Sequence, residues 1–168
     1  MPNWDWLTVR LITPAAVEQF IADGSRAESA GSGYRFAVIR RDQDRVVGST
    51  SYLDVQPANR GVEIGSTWYT PDVRGTSVNP EAKYLLLRHA FDDWGAIRVC
   101  LKTDHMNRQS QAAIRKLGAH YEGTLRQHVI RPDGTYRDSV YFSILDREWP
   151  EVRRGLDERL AALESQDR

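Results

Sequence analysis

The chain predicts an α+β layered domain, a mixed and mostly antiparallel sheet with one parallel crossover and helices on both faces. Three observations predict it. Alternating apolar residues fill 34–39, 45–53 and 62–68, with polar turns between them. A strand–turn–helix–strand unit runs from 62 to 101, which requires a right-handed crossover between parallel strands. Helical periodicity appears before, within and after these strands.

In chain order, Thr13 caps a first helix opened by Pro14, with Val17, Phe20 and Ile21 at helical spacing. Gly24, Ser25, Ser29, Gly31, Ser32 and Gly33 then predict a mobile segment over 23–33. The runs 34–39 and 45–53 form an antiparallel hairpin around Asp42, Gln43 and Asp44. After the turn at Pro57, Asn59 and Gly61, strict alternation places Val62, Ile64, Ser66 and Trp68 on one face. Glu63, Gly65, Thr67 and Tyr69 take the other. A helix with Pro80 as its first residue buries Ala82, Leu86, Leu87, Ala90, Phe91 and Trp94 and ends at Gly95. Strand 97–101 follows, then a helix capped by Asn107, a long hairpin turning at Pro132, Asp133 and Gly134, and a last helix striped by Trp149, Val152, Leu156, Leu160 and Leu163.

The 168 residues fit one folding unit spanning 1–168. Twenty-three Lys and Arg balance 23 Asp and Glu, which argues against a nucleic-acid binder driven by bulk positive charge. No run of 18 apolar residues predicts a membrane span, and the single Cys100 has no partner for an internal disulfide; a reducing cytoplasm is the expected compartment. His89, His105, His120 and His128 show no paired metal-ligand spacing, so no metal is expected.

The turn Arg74, Gly75, Thr76, Ser77, Val78, Asn79 leads from a strand into a helix. Such a turn can hold an anion, because its amides can point inward together at a positive helix end. An ordinary tight turn is the alternative. Glu63, mid-strand, suits a general base or an ion-pair partner equally. Cys100 fits mid-strand burial better than a nucleophile, and His128 fits a solvated strand residue that could line a cleft.

Read together, Val62–Trp68 and Arg74–Ala82 resemble the central strand and acetyl-CoA loop of the GNAT acyltransferases. Asn107–Ser110, Lys116–Ala119 and Tyr121–Gly123 resemble that family's second cofactor motif. The segment Arg126, Gln127, His128, the Asp133–Gly134 turn and strand 138–145 are similar to the branch that acetylates ribosomal-protein N-termini. The resemblance implies acetyl-CoA as acyl donor, with strands 62–69 and 97–101 splaying apart after a short parallel pairing. The backbone of Trp68, Tyr69 and Thr70 would pair with pantetheine as an added strand does. Arg74 matches the first loop position, whereas Ser77 and Asn79 stand where small glycines are commonest; amides of Gly75, Thr76, Ser77, Val78 and Asn79 would take the pyrophosphate. Asn107 would hold the pantetheine amides, with Ser110 near the sulfur. Many relatives carry a tyrosine donor where this chain has Ile114, so Ser110 becomes the candidate proton donor, its alternative being a helix-start serine bonded to backbone. The resemblance further implies transfer to a primary amine, a protein N-terminus or small amine; a CoA-binding module without catalysis is the alternative. The family usually opens with a strand and two helices. Here Trp6–Ile12 could supply the strand, or the first strand and helix are abbreviated, in which case exposed Trp4 and Trp6 would suit an open edge covered by a second copy in a homodimer.

Overall fold

The computed structural model describes residues 11–131 and 133–166. Six strands form one sheet in the order β1-β2-β3-β4-β6-β5, from β1 (Tyr34–Arg40), β2 (Arg45–Gln56), β3 (Gly61–Tyr69), β4 (Arg98–Asp104), β5 (His120–Ile130) and β6 (Tyr136–Leu145). Every pairing is antiparallel except β3 with β4. The expected mixed α+β fold is therefore present.

Alternation sorts the two faces. Tyr52, Val62, Ile64, Val99, Leu101, Val140, Phe142 and Ile144 are buried on one of them. Three helices cover that face, α2 (Val78–Arg88), α3 (Arg108–Arg115) and α4 (Trp149–Gln166), through Leu86, Leu87, Ile114, Trp149, Val152 and Leu156. Tyr52 is fully buried and its hydroxyl donates to the Leu86 carbonyl at 2.5 Å, tying the sheet to α2. The opposite face carries Arg98, Cys100, Lys102 and Asp104 of β4 beside Ser143, Tyr141 and Ser139 of β6.

On that polar face, α1 (Pro14–Ser29) lies against β1. This helix corrects the expectation of a mobile 23–33 segment. Packing overrides the weak helix propensity of Gly24 and Ser25. The Arg35 guanidinium stacks 3.6 Å from the Phe20 ring centre and donates to the Phe20 carbonyl, and Gly24 leaves room for its stem. The proposed first strand at Trp6–Ile12 lies almost wholly outside the described residues, as do Trp4, Trp6 and Pro132; Leu11 and Ile12 are in neither helix nor strand.

Three other expectations need correcting. The crossover helix begins at Val78, so Pro80 is its third residue, and a π-helical turn at His89–Asp93 closes it before Gly95. Trp94 is 40 % exposed, although its ring rests 4.7 Å from that of Tyr52. Strict alternation also fails along β3. Ser51 faces Gly65 but Ser49 faces Trp68, so β3 holds one extra residue there, and Ser66 has φ +48°. The bulge exchanges the faces beyond it, bringing Thr67 onto the α2 side with Ile64.

Candidate active site

Parallel pairing of β3 and β4 is confined to Gly61 with Arg98, Val62 with Val99 and Glu63 with Cys100. Beyond Glu63, β3 runs on to Tyr69 and β4 to Asp104 without pairing, so the strands part along the middle of the sheet. The bulge at Ser66 lies where they separate. On its other side β3 stays bound to β2, and the Thr70 N–H is committed to the Val47 carbonyl at 2.8 Å. Gly48 makes this close approach possible, because a Cβ there would lie 2.3 Å from the Trp68 carbonyl oxygen.

The loop after β3 lies at the end of this gap. Gly75 has φ +81°, a conformation that glycine adopts without strain. Thr76 Oγ1 donates to the Val73 carbonyl at 2.7 Å, folding the loop onto itself. The N–H groups of Gly75, Thr76 and Ser77 have no hydrogen-bond acceptor among the described residues. They lie just ahead of α2, whose N-terminus is positive. Such a loop can take an anion. Arg74 turns back toward β3, its guanidinium donating to the Tyr69 carbonyl at 3.2 Å. Val78 and Asn79 form the first turn of α2.

Asn107 caps α3, its side-chain oxygen accepting the Ser110 N–H at 3.0 Å. The amide nitrogen of Asn107 and the Ser110 hydroxyl have no hydrogen-bond partner among the described residues. Ile114 is buried in the core, in keeping with an apolar residue at that position.

Glu63 is 5 % exposed on the polar face, one residue before the strands part. Its carboxylate pairs with Lys102 at 2.8 Å. The pair raises the Lys102 pKa even though burial opposes this. Gly65 leaves space for that carboxylate, since a Cβ there would meet Glu63 Oε1 at 2.8 Å. Farther along, Arg98 holds the Glu122 carboxyl down to about 2, and Ser143 Oγ donates to it at 2.7 Å. Burial pushes the Cys100 thiol up to about 11, so at neutral pH it is protonated and a poor nucleophile. His128 bonds Ser139 at 3.0 Å and stands 3.4 Å from the Tyr141 hydroxyl. Among the described residues no group of three or more His, Cys, Asp or Glu could hold a metal ion.

Sequence reading missed Lys83. This lysine is 6 % exposed, and its ammonium reaches only the hydroxyls of Thr67 (2.7 Å) and Thr50 (3.3 Å), which bond each other at 2.8 Å. The signal was present: Lys83 lies three and four residues before Leu86 and Leu87, on the buried stripe. Desolvation lowers its pKa to about 7. The folded amine thus holds its proton less tightly than the unfolded one, so stability rises with pH between about 7 and 10.5 and carries the full cost of burial below. Lys83→Met is expected to raise stability at pH 7 by a few kcal/mol and to flatten that rise, because Thr50 and Thr67 keep each other as partners. Urea unfolding at pH 6, 7.5 and 9 measures both effects.

An acetyltransferase (GNAT) domain profile matches residues 3–120. The chain belongs to the GNAT acetyltransferase family. The chain is 30% identical over 102 residues to the "Putative ribosomal N-acetyltransferase YdaF" of Bacillus subtilis (strain 168), the match covering 61% of this chain and 55% of that protein. The chain spans 55% and 66% of the length of curated relatives it matches. Among solved structures, a GCN5-related N-acetyltransferase from Brucella melitensis superposes with TM-score 0.87 at 30% identity, covering 94% of this chain and 70% of that one. Mycobacterium smegmatis RimJ in complex with CoA-disulfide shares the fold, with TM-score 0.77, 19% identity and coverage of 92% and 76%.

Proposed function

We propose that this chain is an acyl-CoA-dependent N-acyltransferase that passes an acetyl group directly to a primary amine, either a protein N-terminus or a small amine. One observation carries the reading: β3 and β4 part after three paired positions, beside a loop of three unpaired amides at the start of α2. Acetyl-CoA has the matching shape, an anionic pyrophosphate joined to an extended arm that ends in a thioester.

In this reading Gly75, Thr76 and Ser77, with Val78 and Asn79, receive the pyrophosphate, and Arg74 adds charge at the loop mouth. Pantetheine lies along Trp68, Tyr69 and Thr70, reaching Asn107 on the far side of the gap. An α-amine has a pKa of about 7.7–8.0, so it must lose a proton before it attacks the thioester carbonyl. Glu63, buried beside the gap, accepts that proton directly or through water. A backbone amide near Tyr69 steadies the oxyanion. The C–S bond then breaks, the departing thiolate takes a proton from Ser110, Ser110 regains one from the nitrogen of the tetrahedral adduct, and Glu63 releases its proton to water. Direct transfer is favoured over an acyl-enzyme because the Cys100 thiol is held protonated.

The fold is also that of Mycobacterium smegmatis RimJ in complex with CoA-disulfide, which supports a CoA-binding role at the level of the fold. Among the described residues no helix is long and apolar enough to cross a membrane. We read the chain as one domain and as a cytoplasmic enzyme. A homodimer belongs to the same reading.

A thiol-release assay tests the function, using acetyl-, propionyl- and succinyl-CoA against N-terminal peptides and small amines. Amine-dependent release with acetyl-CoA is expected. CoA binding without release over the whole panel would replace the transferase with a binding module.

A further inference from the structure

The ion pair between Glu63 and Lys102 crosses the mouth of the gap. Glu63 is the last residue of β3 paired with β4, where it faces Cys100. Lys102 stands two residues beyond Cys100, in the part of β4 that has left β3. Its side chain reaches back across the opening to Glu63 Oε2 at 2.8 Å. β6 holds the same side chain from the other side: Tyr141 stands opposite Lys102, and the ammonium lies 5.8 Å from the centre of its ring. Although burial alone would lower it, the bond to Glu63 raises the Lys102 pKa, so the ammonium keeps its charge at neutral pH.

The other carboxylate oxygen is differently placed. Oε1 lies over Gly65, 2.8 Å from where a Cβ would stand, and has no hydrogen-bond partner among the described residues. Gly65 is the next residue of β3 on this face and precedes the Ser66 bulge, so Oε1 is turned along the opened strand. A glutamate side chain has several rotatable bonds, and a base must meet its proton within hydrogen-bond reach. A charge-assisted bond to one oxygen removes that freedom from the other. Cys100 on β4 and Tyr141 and Arg137 on β6 sense the Glu63 charge, but among the described residues none of them bonds it. Leu53, opposite Glu63 on β2, is apolar. The orientation of Glu63 therefore rests on Lys102.

We propose that Lys102 is a positioning residue for acyl transfer: by holding Glu63 Oε2 from across the gap, it keeps Oε1 where the acceptor amine delivers its proton. This deepens the acyl-transfer reading above and rests on Glu63 as its base. In this role Lys102 acts only through Glu63.

The test measures kcat and KM in the thiol-release assay, with acetyl-CoA and whichever amine of the panel gives the fastest release. Lys102→Met is expected to lower kcat by about tenfold, within the loss of about a hundredfold that a misplaced group can cause. KM for the amine and CoA affinity by calorimetry should stay within about twofold, which a general loosening of the gap would not allow. In a Glu63→Gln background the same substitution should change kcat by less than about twofold, because the base it orients is gone. Lys102→Met leaves a buried carboxylate unpaired and can fail to fold. Lys102→Gln then takes its place; its donor is one atom shorter and falls short of Oε2, so the same fall is expected. A kcat within about threefold of wild type in a folded variant overturns this inference. An equal fall with and without Glu63 does so too, and both results leave the transferase reading standing. Wild-type kcat in Glu63→Gln overturns the base and this inference together, and no release with any amine overturns acyl transfer itself.

Discussion

Glu63→Gln is expected to lower kcat by about a hundredfold or more, the scale of a lost general base, while acetyl-CoA affinity changes by less than twofold. Glutamine keeps the shape of the side chain and fits the space left by Gly65, but it cannot accept the amine proton. Lys102 loses its partner without becoming a buried orphan, since its side chain is 29 % exposed and can reach water. The loss should therefore appear in turnover and not in folding. Steady-state rates over a range of amine concentrations, with thermal unfolding of the same samples, separate the two. A change below about threefold would leave Glu63 as an ion-pair partner of Lys102 and nothing more.

The largest structural effect is expected at Gly48→Ala. The new methyl would lie 2.3 Å from the Trp68 carbonyl oxygen and 2.7 Å from the Tyr69 ring, and the obstruction at Trp68 is backbone, which cannot rotate away. β3 must shift or the hairpin must loosen, at a cost of about 1–3 kcal/mol for overpacking. Trp68 and Tyr69 form the wall of the gap, so the same shift should weaken CoA binding by about tenfold or more, which is the equivalent of a few kcal/mol at most. Urea unfolding gives the first number and calorimetric titration with CoA the second. Wild-type affinity in a folded Gly48→Ala protein would show that the position of β3 beyond the bulge does not matter for binding.

Much of this architecture was legible because period and turn chemistry point the same way. The Tyr34–Arg40 and Arg45–Gln56 hairpin, the turn at Gly134 and the Asn107 cap are each fixed by neighbouring residues. What was not legible depends on contacts distant in sequence. α1 extends past Gly24 because Arg35, on the next strand, lies across Phe20. The Ser66 bulge shifts the faces of Thr67 and Tyr69 with no glycine or proline at the bulged residue to announce it. Lys83 stood on a readable apolar stripe, but only the fold shows that its amine meets two hydroxyls and no carboxylate. Alternation places Arg137 on the polar face of β6, but only the fold shows that Asp104 and Glu63 pair with Arg131 and Lys102 instead. Asn107 was readable as the cap of the helix that follows it, and it caps α3.

The central claim is that the gap between β3 and β4, together with the amides ahead of α2, holds an acyl-CoA. Amide hydrogen exchange with and without CoA tests it most directly. The account predicts that exchange slows by about tenfold or more at Gly75, Thr76 and Ser77, whose N–H groups have no acceptor among the described residues, and in the 66–69 stretch of β3 along the gap. Unchanged exchange in both segments at saturating CoA would contradict it.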